Sequence, residues 1–226
     1  MQGLIKAVIF DMDGVIIDSE PLWRIAMVEG FKQFNMQVSE EDCRKTMGRR
    51  INEVVDFWVN HHSVTKFTSL EIENAIMDNL FLLIEQKGKP IEGILEIIDF
   101  CKEKKLKIGL ATSSSEKLMK IVLNKLQLTS SFHSAVSAEL LKYGKPNPEV
   151  FLICADNLKI NPANCIVIED SVNGAIAAKA AQMNLVVVPD PGTSNQEKFA
   201  IADYNLKNMG EVLTLFKSIV NGTKDL

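Results

Sequence analysis

The chain has 226 residues, 46% hydrophobic and 24% charged. That composition excludes disorder and leaves room for one large domain or a domain carrying an insertion. Its net charge of −4 offers no basic field to nucleic acid or to an anionic membrane.

The first element is the apolar run Leu4-Ile5-Lys6-Ala7-Val8-Ile9-Phe10, which reads as a strand and ends on Asp11-Met-Asp13-Gly14. Met1 stands so close to this strand that no signal peptide is expected, and no apolar run approaches the ~20 residues that span a bilayer. The next stretch has helical periodicity and no convincing strand. Helices are expected over about 19–35, 40–46, 50–61 and 68–87. The last opens on a Thr68-x-x-Glu71 capping box and closes at Gly88. A crossover between parallel strands needs only about a dozen residues. Residues 18–87 are therefore read as an inserted helical cap domain, and a helix near 91–105, after Pro90, returns the chain to the core.

From there short strands alternate with helices. Strands are expected at 107–111, 134–137, 165–168 and 184–189; one helix opens on a Ser113-x-x-Glu116 capping box and another at Pro148. Several strands are apolar on both faces, as in a parallel sheet between two helix layers. The expected fold class is α/β, a doubly wound parallel sheet with a core of residues 1–17 and 88–226. Cys43, Cys101, Cys154 and Cys165 have no CxxC spacing and read as reduced, mostly buried thiols, so a soluble cytoplasmic protein is expected.

Three polar clusters follow three of these strands: Asp11 and Asp13, Thr112-Ser113-Ser114-Ser115, and Glu169-Asp170. Ligands of open parallel sheets bind beyond the carboxyl ends of the strands. With the first strand central, all three clusters meet in one crevice. Carboxylates gathered there repel unless a cation neutralises them or one is protonated. Oxygen donors without nearby His or Cys suit Mg²⁺. Thr112 and the amides of a helix start form an anion site, and Lys145 of Tyr143-Gly-Lys-Pro-Asn147 adds fixed positive charge. Anion donors facing a carboxylate cluster suggest phosphoryl transfer, in which an aspartate can serve as nucleophile. Taken singly, each cluster has a plainer reading: a turn or the start of a calcium loop, a helix cap, a surface lysine, first-turn acids. Their joint order is what points to chemistry.

This pattern resembles the haloacid dehalogenase-like hydrolase superfamily over nearly the whole chain. "DMDGVIIDSE" resembles its first motif, "LATSS" its second, the lysine of "GKPNP" its third and "IEDSVNG" its fourth. The resemblance implies a Rossmann-like core with an α-helical cap. By that analogy Asp11 attacks phosphorus, while Asp13 protonates the leaving oxygen and then activates water. Thr112, Ser113 and Lys145 hold the phosphoryl group. Mg²⁺ is bound by Asp11, the backbone carbonyl of Asp13, and Asp170, with Glu169 in or just behind that shell. An aspartate at position 13 speaks against dehalogenation.

Within the superfamily, "DSEPLW" and "MGRRINEVVDFW" are similar to the β-phosphoglucomutase-like branch that includes hexitol and 2-deoxyglucose-6-phosphate phosphatases. The mutases carry a histidine where Trp23 stands, so net hydrolysis is expected. The implied enzyme is a Mg²⁺-dependent phosphatase of small phosphorylated sugars or sugar alcohols, monomeric, without nucleic acid or membrane partners. A phosphosugar mutase and an inactive binding module are the alternatives. Glu20, Trp23, Arg49 and Arg50 are the cap's candidates for substrate contact, with Arg50 preferred because Gly48 lets the backbone bend beside it. The plainer reading makes Trp23 cap core and the two arginines solvated helix-start residues. His61, His62 and His133 have no partners at metal-ligand spacing.

Overall fold

A computed structural model describes residues 4–46, 49–189 and 196–221. Six strands form one parallel sheet: β1 (Ala7–Phe10), β2 (Lys107–Thr112), β3 (Ser134–Ser137), β4 (Cys165–Glu169), β5 (Asn184–Val187) and β6 (Tyr204–Asn205). Their order is β3-β2-β1-β4-β5-β6. β1 lies between β2 and β4, with Phe10 opposite Leu110 on one side and Ile168 on the other. Strand order reverses here, and the reversal opens a crevice beyond the carboxyl end of β1. The strand expected at 184–189 stops at Val187. β6 has no counterpart in the sequence reading, because a two-residue edge has no periodicity to detect.

Among the described residues, five helices separate β1 from β2: α1 (Glu20–Gln33), α2 (Glu40–Arg44), α3 (Ile51–His61), α4 (Ser69–Lys87) and α5 (Ile94–Glu103). α6 (Glu116–Lys125), α7 (Glu149–Leu158), α8 (Val172–Ala180) and α9 (Met209–Asn221) follow β2 among the described residues. Side chains alternate across each strand. Val8, Phe10, Ile108, Leu110, Ile166 and Ile168 pack on one face with α5, α6 and α9. Ala7, Ile9, Ala111, Val167 and Leu185 pack on the other with α7 and α8. All four cysteines are buried and free. Among the described residues, no helix is long and apolar enough to cross a membrane.

The helical insertion hangs from two paired crossings. Asp18 N donates to Lys89 O at 3.0 Å, and Ile91 N donates to Ile16 O at 3.1 Å. Ile17 and Pro90 form an antiparallel bridge between them. Inside the insertion α4 packs along α1 and against α3. Thr68 and Glu71 cap α4 reciprocally, each side chain accepting from the other's backbone N–H at 3.3 and 2.8 Å. The capping box expected at Ser113 does not form. α6 starts two residues later, at Glu116, and its cap is Ser115, whose hydroxyl accepts from Leu118 N at 3.3 Å.

Candidate active site

Three neighbouring strands end in polar residues, and one lysine ties those ends together. Asp11 follows β1, Ala111 and Thr112 close β2, and Glu169 closes β4 with Asp170 next. Lys145 comes from the loop before α7, and its side chain is almost wholly buried. Its ammonium donates to Asp11 Oδ1 at 2.7 Å, to Glu169 Oε1 at 2.6 Å and to Ala111 O at 3.1 Å. Burial works against the charged lysine, but Asp11 and Glu169 outweigh it and hold the ammonium above its ordinary pKa.

Glu169 is fully buried and its second oxygen is also engaged. Oε2 accepts from Asp170 N (3.0 Å), Ser171 N (2.9 Å) and Ser171 Oγ (2.9 Å). Gly174 makes room for it, since a Cβ there would sit 1.6 Å from Glu169 Oε1. By contrast, the Asp170 carboxylate has no hydrogen-bond partner among the described residues and faces the crevice. Gly14 lies against it with φ of +75°, in the left-handed region, and a Cβ would reach 2.1 Å from Asp170 Oδ2.

Asp13 stands apart from this buried group. Its Oδ1 accepts from Ser19 Oγ at 2.5 Å and Trp23 Nε1 at 3.0 Å, and its Oδ2 accepts from Ser114 Oγ at 2.6 Å. Ser19 stands at the N-cap of α1, yet it donates to Asp13 instead of capping the helix. Ser114 is itself fixed, because Ser137 Oγ donates to its carbonyl at 2.6 Å. Two loops and a helix thus aim one carboxyl group into the crevice.

The crevice continues under the helical insertion as a cavity of about 70 Å³. It receives Asp11, Asp13, Thr112, Ser113, Lys145 and Asp170 from the sheet side, and Glu20 and Trp23 from α1. Thr112 Oγ1 accepts from Ser114 N at 3.1 Å, whereas Ser113 Oγ is buried without a partner among the described residues. An unpartnered buried hydroxyl is costly unless a ligand completes it.

One expected contact is placed elsewhere. Arg50 does not line the cavity: it donates to Glu53 Oε1 at 2.6 and 2.8 Å and to Leu141 O at 2.9 Å. It packs so closely on Gly144 that a Cβ there would lie 2.9 Å from Arg50 Nε. The reason is local: Arg50 is the extended N-cap residue of α3, which turns its side chain toward the loop before Lys145. Its neighbour Arg49 lines the cavity, with Arg24 and Arg44. Gly48, invoked to bring Arg50 near substrate, lies outside the described residues. The sequence reading names Ser114 only within the 112–115 cluster and does not single out Ser19, Ser171 or Arg24; a serine beside a helix start reads first as a cap.

The sequence profile of haloacid dehalogenase-like hydrolases matches residues 8–188. The chain belongs to that family. It is 38% identical over 209 residues to hexitol phosphatase B of Escherichia coli (strain K12), covering 92% of this chain and 94% of that protein. It is 32% identical over 189 residues to β-phosphoglucomutase of Bacillus subtilis (strain 168), covering 81% and 83%. Its fold matches the crystal structure of CbbY from Rhodobacter sphaeroides in complex with phosphate, with a TM-score of 0.85 at 23% identity over 92% of this chain and 96% of that one.

Haloacid dehalogenase-like hydrolases typically use a divalent metal, and the donor set here fits one. Ligand oxygens of Asp11, Glu169 and Asp170 lie within 4.8 Å of one another, all in buried residues. Lys145 alone does not balance them. Burial, opposed by Lys145 and reinforced by Glu169, pushes Asp11 up to about 7. Burial and then the charges of Glu169, Asp11 and Glu20 raise Asp170 well above the carboxylate range. This is surplus negative charge in a low-dielectric pocket, held by hard oxygen donors, which a small divalent cation relieves.

Proposed function

We propose that this hydrolase is a Mg²⁺-dependent phosphatase of small phosphorylated sugars or sugar alcohols that works through an aspartyl-phosphate. The observation that carries the proposal is the meeting of Asp11, Asp13, Thr112, Ser113, Lys145 and Asp170 in one cavity. The relatives named as a hexitol phosphatase and a sugar phosphomutase support the substrate class.

Asp11 is the nucleophile. Lys145 holds its Oδ1, and a carboxylate oxygen attacks phosphorus while the bond to the leaving alcohol breaks. Asp13 delivers a proton to that alcohol oxygen. In the second step Asp13 takes a proton from water, which attacks the aspartyl-phosphate, frees phosphate and restores Asp11. Lys145, Thr112 and Ser113 stabilise the charge on the transferring phosphoryl group. Asp11, Asp170 and the backbone carbonyl of Asp13 would hold Mg²⁺, and Glu169 stands behind them with both oxygens engaged. When bound, Mg²⁺ supplies positive charge to the phosphoryl oxygens.

The helical insertion, residues 18–87, acts as a cap that closes the cavity against bulk water. A crevice roofed in this way suits a small molecule and not a folded protein as substrate. Trp23 favours hydrolysis over mutase chemistry, because an indole holds Asp13 without exchanging a proton itself.

The test is phosphate release by the purified protein from a panel of sugar and sugar-alcohol phosphates, with Mg²⁺ and with EDTA. Turnover with Mg²⁺, its loss in EDTA, and its loss by about a thousandfold or more in Asp11→Asn are expected. Appreciable turnover in Asp11→Asn rules out the covalent route. Accumulation of an isomeric sugar phosphate without free phosphate makes the enzyme a mutase.

A further inference from the structure

Asp170 faces two hollows. One is the cavity under the insertion. The other is a depression of about 260 Å³ at the foot of the two crossings that carry the insertion, beside the start of α9. Asp170 and Glu20 line both, and so form the partition between them. Gly14 lines the depression where it lies against Asp170, and having no side chain it leaves that carboxylate uncovered. Asp170 is only 4% exposed, and its carboxylate has no hydrogen-bond partner among the described residues.

The approaches to Asp170 through the two hollows carry opposite charge. Besides Glu20 and Asp170, the depression is lined by Asp18 and Glu92, against the single cation Lys207. The Asp18 and Glu92 side chains are exposed, with no hydrogen-bond or ion-pair partner among the described residues. The cavity's wall from the insertion carries Arg24, Arg44 and Arg49 instead. A dication that approaches under the insertion meets like charge, and one that approaches from the depression meets opposite charge. A hollow lined by one sign of charge focuses the field and concentrates the counter-ion. The same acids turn phosphate away. Mg²⁺ sheds its waters reluctantly and so arrives hydrated. A hollow of about 260 Å³ has room for that shell, since one water needs roughly 10–15 Å³.

We propose that the divalent cation reaches and leaves Asp170 through this depression and not past the substrate. The inference rests on the metal site of the phosphatase reading above and adds a route to it. Metal then exchanges while a substrate occupies the cavity, and the insertion need not open for it.

Stopped-flow mixing of the metal-free, full-length protein with Mn²⁺ reads the entry rate through quenching of Trp23, which stands against Asp13. A chase with EDTA reads the release rate. The four native cysteines are buried, so Lys207→Cys puts a reactive thiol at the mouth of the depression for a bulky, uncharged maleimide. Lys120→Cys, on the exposed face of α6, carries the same label as control. A blocked route slows entry and release alike. The label at position 207 should lower both rates about tenfold or more with Kd unchanged, and the label at position 120 should lower neither. Asp18→Asn combined with Glu92→Gln should lower the entry rate about tenfold at low ionic strength, and the gap should close in high salt. Unchanged rates after labelling, a label that alters Kd through release alone, or an entry rate that the paired charge variant leaves as it was overturn the inference and leave the metal site standing. If Mn²⁺ does not bind, or binds Asp170→Asn equally well, the metal site of the phosphatase reading fails and the route fails with it.

Discussion

Trp23 Nε1 donates to Asp13 Oδ1 across 3.0 Å, from a helix of the insertion to the loop after β1. Position 23 therefore does more than fill space, since it sets where the Asp13 carboxyl points. Trp23→Phe keeps most of the ring and deletes the donor. We expect kcat to fall by about tenfold, the worth of one hydrogen bond at the reacting group, with a smaller change in KM. Steady-state kinetics on one sugar phosphate checks this, and an unchanged kcat would mean that Ser19 and Ser114 suffice.

Gly174 is where Glu169 is most exposed to damage. A methyl group there overlaps Glu169 Oε1, whose other contacts include Lys145. Gly174→Ala should destabilise the fold by about 1–3 kcal/mol through overpacking. It should also lower activity by displacing the anchor of Lys145. Denaturant titration reads the first effect and phosphate release the second.

Arg50 joins α3 to the loop before Lys145 and stands outside the cavity lining. Arg50→Ala leaves Leu141 O without that donor and frees Glu53. About 1–3 kcal/mol of stability should be lost, and amide exchange should quicken over residues 138–144. Unaltered exchange there would remove Arg50 from any part in holding the insertion down.

Metal should stabilise the native chain. Of the three buried carboxylates, one lysine pairs with two, Asp11 and Glu169, so Mg²⁺ should bind the folded state far better than the unfolded one. At a hundred times its Kd it should add about 2.7 kcal/mol, which raises Tm by roughly 5–10 °C for a chain of this size. Asp170→Asn should abolish most of that shift. Thermal denaturation with Mg²⁺ and with EDTA measures both, and an equal Tm in the two would count against the site.

Much of this was legible because the informative residues adjoin strongly patterned ones. Asp11, Thr112, Glu169 and Asp170 each stand where a buried apolar run ends, so strand order alone brings them together. Long amphipathic helices with reciprocal caps, such as α4, also declare themselves. What stayed hidden depends on choices within one or two residues. Ser113 and Ser115 are equally good caps by type, and Glu116 favours the first. The chain uses Ser115, with Ser114 turned to Asp13. Arg49 and Arg50 precede α3 side by side, and only the extended backbone at position 50 decides which faces the cavity. Ser19 has every local mark of a helix cap; its true partner, Asp13, is set by how the chain folds back into α1.

The paired crossings at Asp18–Lys89 and Ile16–Ile91 have a further consequence. The segment they carry begins and ends at nearly the same point, beside the mouth of the crevice. The sheet therefore sees only a short loop there, whatever its length, and loop length costs little closure entropy. A different segment could be grafted across the same two positions without disturbing a single strand pairing. On the phosphatase reading proposed above, such an exchange would change which molecule is cut and leave in place the residues that cut it.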